Sequence, residues 1–295
     1  MNLKLLMKKY GLALVLVMSL VLLSACGEGA TTPANNESPV SASQGESEQN
    51  DQGSNEAETP STGDADKELF VTVVSEANNL DSFSATMTAD QKIDMDGNVM
   101  DTKTTSEMDV TMKPELAFKQ LTIVEAAGQK QEIESYMLSD GFFVKEATSG
   151  QWMKLPTDMM DQILQGVDEA SLDPSAQLAK LVDFSESFSV EEQDGIYVFT
   201  LNAKGEEFNN LLTEQLGDEF AQLGDFEVNA AEYVIEVEKS SNKLLKMDVF
   251  TDMNISAEGQ KLSIVSTVTT EYSNHNAIDA IEVPEEALSA EEIAL

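Results

Sequence analysis

Cys26 is the only thiol in the 295 residues, and the residues ahead of it decide what chemistry it can do. Lys4, Lys8 and Lys9 open the chain with positive charge, Gly11 to Leu23 runs apolar, and Ser24-Ala25 are small. A basic start, an apolar stretch and small residues before a cut form the pattern of a secretory signal. The apolar run of about 13 residues would make a helix of roughly 20 Å, short of the about 30 Å of a hydrocarbon core. It therefore reads as a cleaved signal. An ordinary signal with an unrelated cysteine is the alternative.

Other residue types that could do chemistry are thinly spread. His275, in Ser273-Asn274-His275-Asn276, is the only imidazole. A zinc site would need it beside carboxylates alone, a poor ligand set. A serine–histidine–acid triad would have to pass through His275, and no serine sits in a Gly-x-Ser-x-Gly elbow. Asp94-Met95-Asp96-Gly97-Asn98 with Asp101 superficially resembles a calcium loop but lacks the glutamate at its twelfth position. Glu206-Glu207, Glu214 and Asp218-Glu219 read as the solvated face of a helix. The expectation is no catalytic residue, no metal and no enzyme activity. Trp152, the single tryptophan, packs at a strand end or stacks on a ligand.

Charge excludes further classes. The chain holds 17 Lys+Arg, all of them lysine, against 54 Asp+Glu, a formal net charge of −37. Loss of the first 25 residues removes three lysines and no acid. No basic stripe is left to displace phosphate counterions, so nucleic acid is not a partner. The same acidity opposes lying flat on anionic lipid. With one cysteine, no disulfide forms within the chain, and a domain outside the cytoplasm stands on its core alone.

The elements follow from the patterning. Residues 27–66 are mainly Asn, Gln, Ser, Thr, Pro, Gly and acids, with Val40 the only sizeable apolar residue, too polar to bury a core, and read as a disordered tether. About forty such residues span on the order of 35 Å. Leu69, Phe70, Val73, Val74, Ala77 and Leu80 recur at helical spacing, with Asp64 or Asp66 as cap. The period then becomes two. Phe83, Ala85, Met87, Ala89, Ile93 and Met95 alternate with polar residues, and after Asp96-Gly97 so do Met100, Met108, Val110 and Met112. That predicts a long hairpin with one dry and one wet face. Strands are expected near 116–124, 131–138, 142–146 and 152–155. Helices are expected at 158–164, from Asp173-Pro174 through Leu178, Leu181, Val182, Ser185 and Phe188, and from Phe208 to Leu223. A hairpin turns at Asp194-Gly195. A closing meander carries Tyr233, Ile235 and Val237, then Leu245, Met247, Val249, Met253 and Ile255, then Leu262, Ile264, Val268 and Tyr272. The fold class that results is α+β: a curved, mostly antiparallel sheet, an incomplete β-barrel, with amphipathic helices covering its concave face.

Two resemblances add to this reading. Leu23-Ser24-Ala25-Cys26 resembles the bacterial lipobox, an aliphatic residue and two small ones before a cysteine. It implies cleavage between Ala25 and Cys26 and a covalent diacylglyceryl group on the Cys26 thiol, the only added group expected. Two acyl chains anchor stably where one is marginal. The implied location is the extracytoplasmic face of the cell membrane. Tyr136-Met137-Leu138-Ser139-Asp140-Gly141-Phe142-Phe143-Val144-Lys145, Trp152-Met153-Lys154, Tyr233-Val234-Ile235-Glu236-Val237 and Asn242-Lys243-Leu244-Leu245-Lys246-Met247 resemble a group of uncharacterised lipoproteins of Gram-positive bacteria. That group is similar to the LolA-like and LppX-like lipid carriers, whose incomplete barrel has a cavity under helices.

The organisation expected is a signal peptide at 1–25, the acylated cysteine and tether at 26–66, a LolA/LppX-like domain at 67–288 and an acidic tail at 289–295. If a cavity exists, Phe83, Met87, Met95, Met100, Met108, Met112, Met247 and Met253 are its expected apolar walls, methionine being adaptable to acyl chains of varied shape. Core filling in a sheet short of Ile and Leu is the plainer reading. The two functional readings are a membrane-anchored surface lipoprotein that binds a lipid or other apolar ligand, and a non-catalytic envelope module for structure or protein interaction with a closed core.

Overall fold

The computed structural model describes residues 62–95, 97–139, 141–147, 149–155, 172–203, 225–257 and 260–292. Cys26 and residues 27–61 of the expected tether lie outside the described residues, whereas Thr62–Asp66, expected at its end, are helical. So do the helices expected at 158–164 and 208–223, the acids from Glu206 to Glu219, and Asp96, Asp140, Pro156, Glu258 and Gly259.

Helix α1 runs Thr62–Ala77 and buries Phe70, Val73 and Ala77, three positions on one stripe. It starts before Asp64 and Asp66, so these acids lie in its first turns instead of capping it. Favourable interaction with the positive end of the helix suits Asp66 there.

Strands β1 (Ser82–Met95) and β2 (Asn98–Thr111) are 14 residues each, about 46 Å long, and pair from Ser82 opposite Thr111 to Met95 opposite Asn98. Strands β3 (Ala117–Ala126), β4 (Gln129–Leu138), β5 (Gly141–Lys145) and β6 (Trp152–Leu155) continue outward as a meander. On the other side β7 (Ser189–Gln193), β8 (Ile196–Ala203), β9 (Asp225–Glu238), β10 (Leu244–Ala257) and β11 (Gln260–Ser273) form a second meander. The two join where β1 pairs with β11, giving one sheet in the order β6-β5-β4-β3-β2-β1-β11-β10-β9-β8-β7. The ends β6 and β7 do not meet, so this curved antiparallel sheet is not closed into a barrel. Asp194 and Gly195 both take positive φ (51° and 83°), the type I′ geometry whose twist suits a two-residue hairpin.

Between the meanders the expected single helix divides. Helix α2 covers only Pro174–Ala179, with the Asp173 carboxylate accepting from the Ser175 N–H at 2.8 Å. A 3-10 turn, Val182–Ser187, follows. Ser185 donates its hydroxyl to the Val182 carbonyl at 2.5 Å, one of the local bonds by which serine competes with helix. Leu178, Leu181 and Phe188 nevertheless reach one core with α1 and the sheet. Phe70 stacks on Phe188 at 4.7 Å and meets Phe199 of β8 edge-on at 5.5 Å, which fastens α1 to both.

A short helix α3 (Glu285–Leu288) packs over β5 and β6, and Glu292 bridges Lys154. Among the described residues, no helix is long and apolar enough to cross a membrane.

Candidate functional site

The sheet has one inner face, and its register arranges that face in transverse rows. Under the helices stand Phe118, Val110 and Phe83, with Ala85 opposite Tyr272 and Met247 opposite Ile235. At the far end, Ile93 lies opposite Ile264 and Ile264 opposite Met253; Ile264, Met253 and Ile255 form a separate buried cluster with Leu262 beside it.

Between these apolar ends the face is polar, against the expectation of a uniformly dry one. One row reads Ala126, Thr102, Gln91, Ser266, Thr251 and Ala231 across β3, β2, β1, β11, β10 and β9. Thr104, Ser106 and Thr270 add to the band, and all of these hydroxyl residues are buried. Some of the band is internally satisfied: Gln120 Nε2 donates to Ser106 Oγ at 2.9 Å, and Ser106 and Thr122 share a hydrogen bond at 3.3 Å. Thr102 Oγ1 and Ser266 Oγ are not; among the described residues neither has a partner. Their residues are 5% and 1% exposed, and Gln91 between them is 7%. A buried hydroxyl left unpaired costs about 1–3 kcal/mol, so this row is where the fold leaves hydrogen-bonding capacity unused.

Among the described residues, seven of the strands carry no charge on this face. Along β1 to β4 and β9 to β11 every inward position is apolar, hydroxyl or amide, although the chain carries 54 acids and 17 lysines. The charges of those strands stand on the outer face. There Lys246 lies 2.7 Å from Asp248 and 3.9 Å from Glu236, and Thr269 donates to Asp248 at 2.6 Å. Asp90, Lys92, Asp101, Lys103, Glu125 and Lys130 line an open groove of about 680 Å³ and alternate in sign across it. Lys103 and Asp90 approach to only 4.0 Å with both side chains exposed, a weak pairing.

The eight expected cavity residues fall in three places. Phe83 and Met247 are buried in the helix-covered core, with Met108 and Met112 partly buried against it. Met253 belongs to the far cluster. Met87 is buried in the row between Ser106 and Thr270, and Met95 and Met100 are half-buried at the hairpin end. The polar band runs through the middle of the set. Sequence patterning passes over its members because Thr and Ser suit strands yet count as polar; only their parity with Phe83 and Val110 marks them as inward.

Burial pushes the phenols of the inward Tyr233 and Tyr272 up from their ordinary value. His275 is half-buried beyond β11, with Nε2 2.8 Å from the Leu244 carbonyl. A carbonyl only accepts, so Nε2 carries the proton. Burial holds this imidazole below its ordinary value, against the pull of that hydrogen bond. Trp152 lies on the outer face against Tyr136 (5.6 Å) and under Lys145 (5.4 Å), in a cluster with Ile281, Val283 and Ala287. The carboxylate of Asp94 accepts from the Gly97 N–H at 2.8 Å, serving the hairpin turn. Among the described residues no group of acids, His and Cys is placed to hold a metal ion.

Against known proteins, the model of a family of unknown function, DUF6612, matches residues 65–292. No curated protein matches. Among solved structures, LprF from Mycobacterium bovis is 12% identical, covering 75% of this chain and 97% of its own, with a TM-score of 0.39. A putative outer membrane lipoprotein-sorting protein domain from Vibrio parahaemolyticus is 10% identical over 75% and 95%, with a TM-score of 0.26. A DUF1329 family protein from Desulfovibrio piger is 11% identical over 74% and 94%, with a TM-score of 0.22. At such values these likenesses say nothing of ligand or activity.

Proposed function

We propose that this chain, which belongs to the DUF6612 family, is a surface lipoprotein that holds a lipid or other largely apolar molecule against the inner face of its sheet. In this reading Cys26 carries a diacylglyceryl anchor on the extracytoplasmic face of the membrane, and the residues between it and helix α1 tether the domain to it. The carrying observation is the inner face itself. It is uncharged along seven strands of a very acidic protein, apolar at both ends, and roofed at one end by α1, α2 and the 3-10 turn. An uncharged concave surface suits apolar ligands, whereas a face serving only solubility would share the acids of the outer one.

The reading includes no catalytic step, since His275 is engaged by a backbone carbonyl and Cys26 is taken up by the anchor. The rival, a closed-core interaction module, draws on the tight Phe70, Phe188 and Phe199 packing at the roofed end. Native mass spectrometry separates them. The chain from residue 26 onward with Cys26→Ser, gently purified from cells, is expected to carry co-purifying lipid. A uniformly empty protein would favour the rival.

A further inference from the structure

The buried hydroxyls of Thr102 and Ser266 are unaccounted for by the fold. They belong to neighbours of Gln91 on either side, since Gln91 lies opposite Thr102 in one pairing and opposite Ser266 in the other. All three side chains are inward and at least nine-tenths buried, and among the described residues the two hydroxyl oxygens make no hydrogen bond. Between adjacent strands such opposed side chains come within about 5 Å, so the three form a short polar row across β2, β1 and β11, its two hydroxyl residues about 10 Å apart with Gln91 between them. The apolar surfaces lie to either side of that row. Phe83 is eight residues away along β1, about 26 Å, and Ile93 is two residues away on the other side.

We propose that Thr102, Gln91 and Ser266 form a hydrogen-bonding subsite for an uncharged polar group within an otherwise apolar ligand: a hydroxyl, an ester carbonyl or an amide. The inference rests on the reading that the inner face holds a ligand, and it narrows that ligand to a neutral amphiphile. The hydroxyls can donate to or accept from such a group, and the Gln91 amide offers both functions. A charged headgroup does not fit, because no inward side chain of these strands can pair with it and an unpaired buried charge is prohibitively costly. A pure hydrocarbon does not fit either, since it would leave both hydroxyls unpaired.

The test uses the chain from residue 26 onward with Cys26→Ser and three probes of one chain length: glycerol mono-oleate, oleate and 1-octadecene. The wild-type inner face is expected to bind the glyceride at least tenfold tighter than either of the others. The double variant Thr102→Val, Ser266→Ala is expected to lose about tenfold in glyceride affinity and nothing for octadecene, the scale of one or two hydrogen bonds. Because neither hydroxyl has a partner in the empty protein, the variant's melting temperature is expected to match or exceed the wild type's. A fall in melting temperature, an unchanged glyceride affinity in the variant, or a wild-type preference for oleate would overturn the subsite. Tight binding of octadecene alone would overturn it while leaving the ligand-binding reading standing. Binding of no probe would count against both.

Discussion

The side-chain carbonyl of Asn276 accepts a hydrogen bond from the backbone N–H of Asp81 at 2.6 Å, tying the segment after the last strand to the entry of the first. The backbone N–H of Asn276 in turn donates to the Ser82 carbonyl at 2.7 Å, and the Ile278 N–H donates to Ser82 Oγ at 3.0 Å. Asn276 adopts φ 57°, a left-handed conformation that asparagine adopts at lower cost than alanine. This clasp closes the junction on which the two meanders depend. Asn276→Ala is expected to cost about 1–3 kcal/mol in urea unfolding, from a lost hydrogen bond and a strained backbone. An unchanged midpoint would show the clasp to be incidental.

The Phe70, Phe188 and Phe199 contacts fix the helical roof to the sheet. Phe70→Ala is expected to lower stability by about 3–5 kcal/mol, the range for a large buried aromatic. Calorimetry reads this as a fall in melting temperature of roughly 10 °C for a domain of this size. A change within 2 °C would mean that the roof is not held by this packing.

Alkaline pH is expected to weaken the fold. Burial, then the hydrogen bond and charge of Glu134, push the Tyr136 phenol up to about 12, and burial raises those of Tyr233 and Tyr272 as well. Below pH 10 both folded and unfolded chains keep these protons. From about 10 upward the unfolded chain releases protons that the folded one retains, so stability falls as pH rises. Tyr136→Phe is expected to flatten the melting-temperature curve between pH 10 and 12 without removing its slope. A curve flat in the wild type would contradict the burial of all three phenols.

The anchor has its own test. Cys26→Ser is expected to leave the membrane fraction and to take up no labelled acyl chain. A variant that remains acylated and membrane-bound would show that Cys26 is not the acylation site.

Much of the sheet is legible in the sequence, and its exceptions have identifiable causes. The alternation of Phe83 to Met95 and the Asp-Gly dipeptides predict the long hairpin and the β7–β8 turn, because period and turn chemistry agree there. Strand β9 begins at Asp225, well before the dry run Tyr233, Ile235, Val237, because its pairing with β10 shifts register between Asp252 and Met253. That bulge breaks the parity of Val228 with the later residues and hides the strand's first half. The helical block after Asp173 keeps its apolar spacing but yields to local serine bonding. The polar band is the larger omission. Hydropathy separates apolar from polar residues, whereas the inner face separates uncharged from charged ones, so Gln91, Thr102 and Ser266 become visible only once the register is known.

The central claim is that the ligand lies against this face. Methyl NMR on the same protein, labelled at methionine and isoleucine and titrated with glycerol mono-oleate, tests it residue by residue. Shifts are expected for Met87, Met253 and Ile93 on the inner face and none for Ile123 on the outer face of β3. Inner-face signals that stay still throughout the titration, or shifts confined to Ile123, would contradict it.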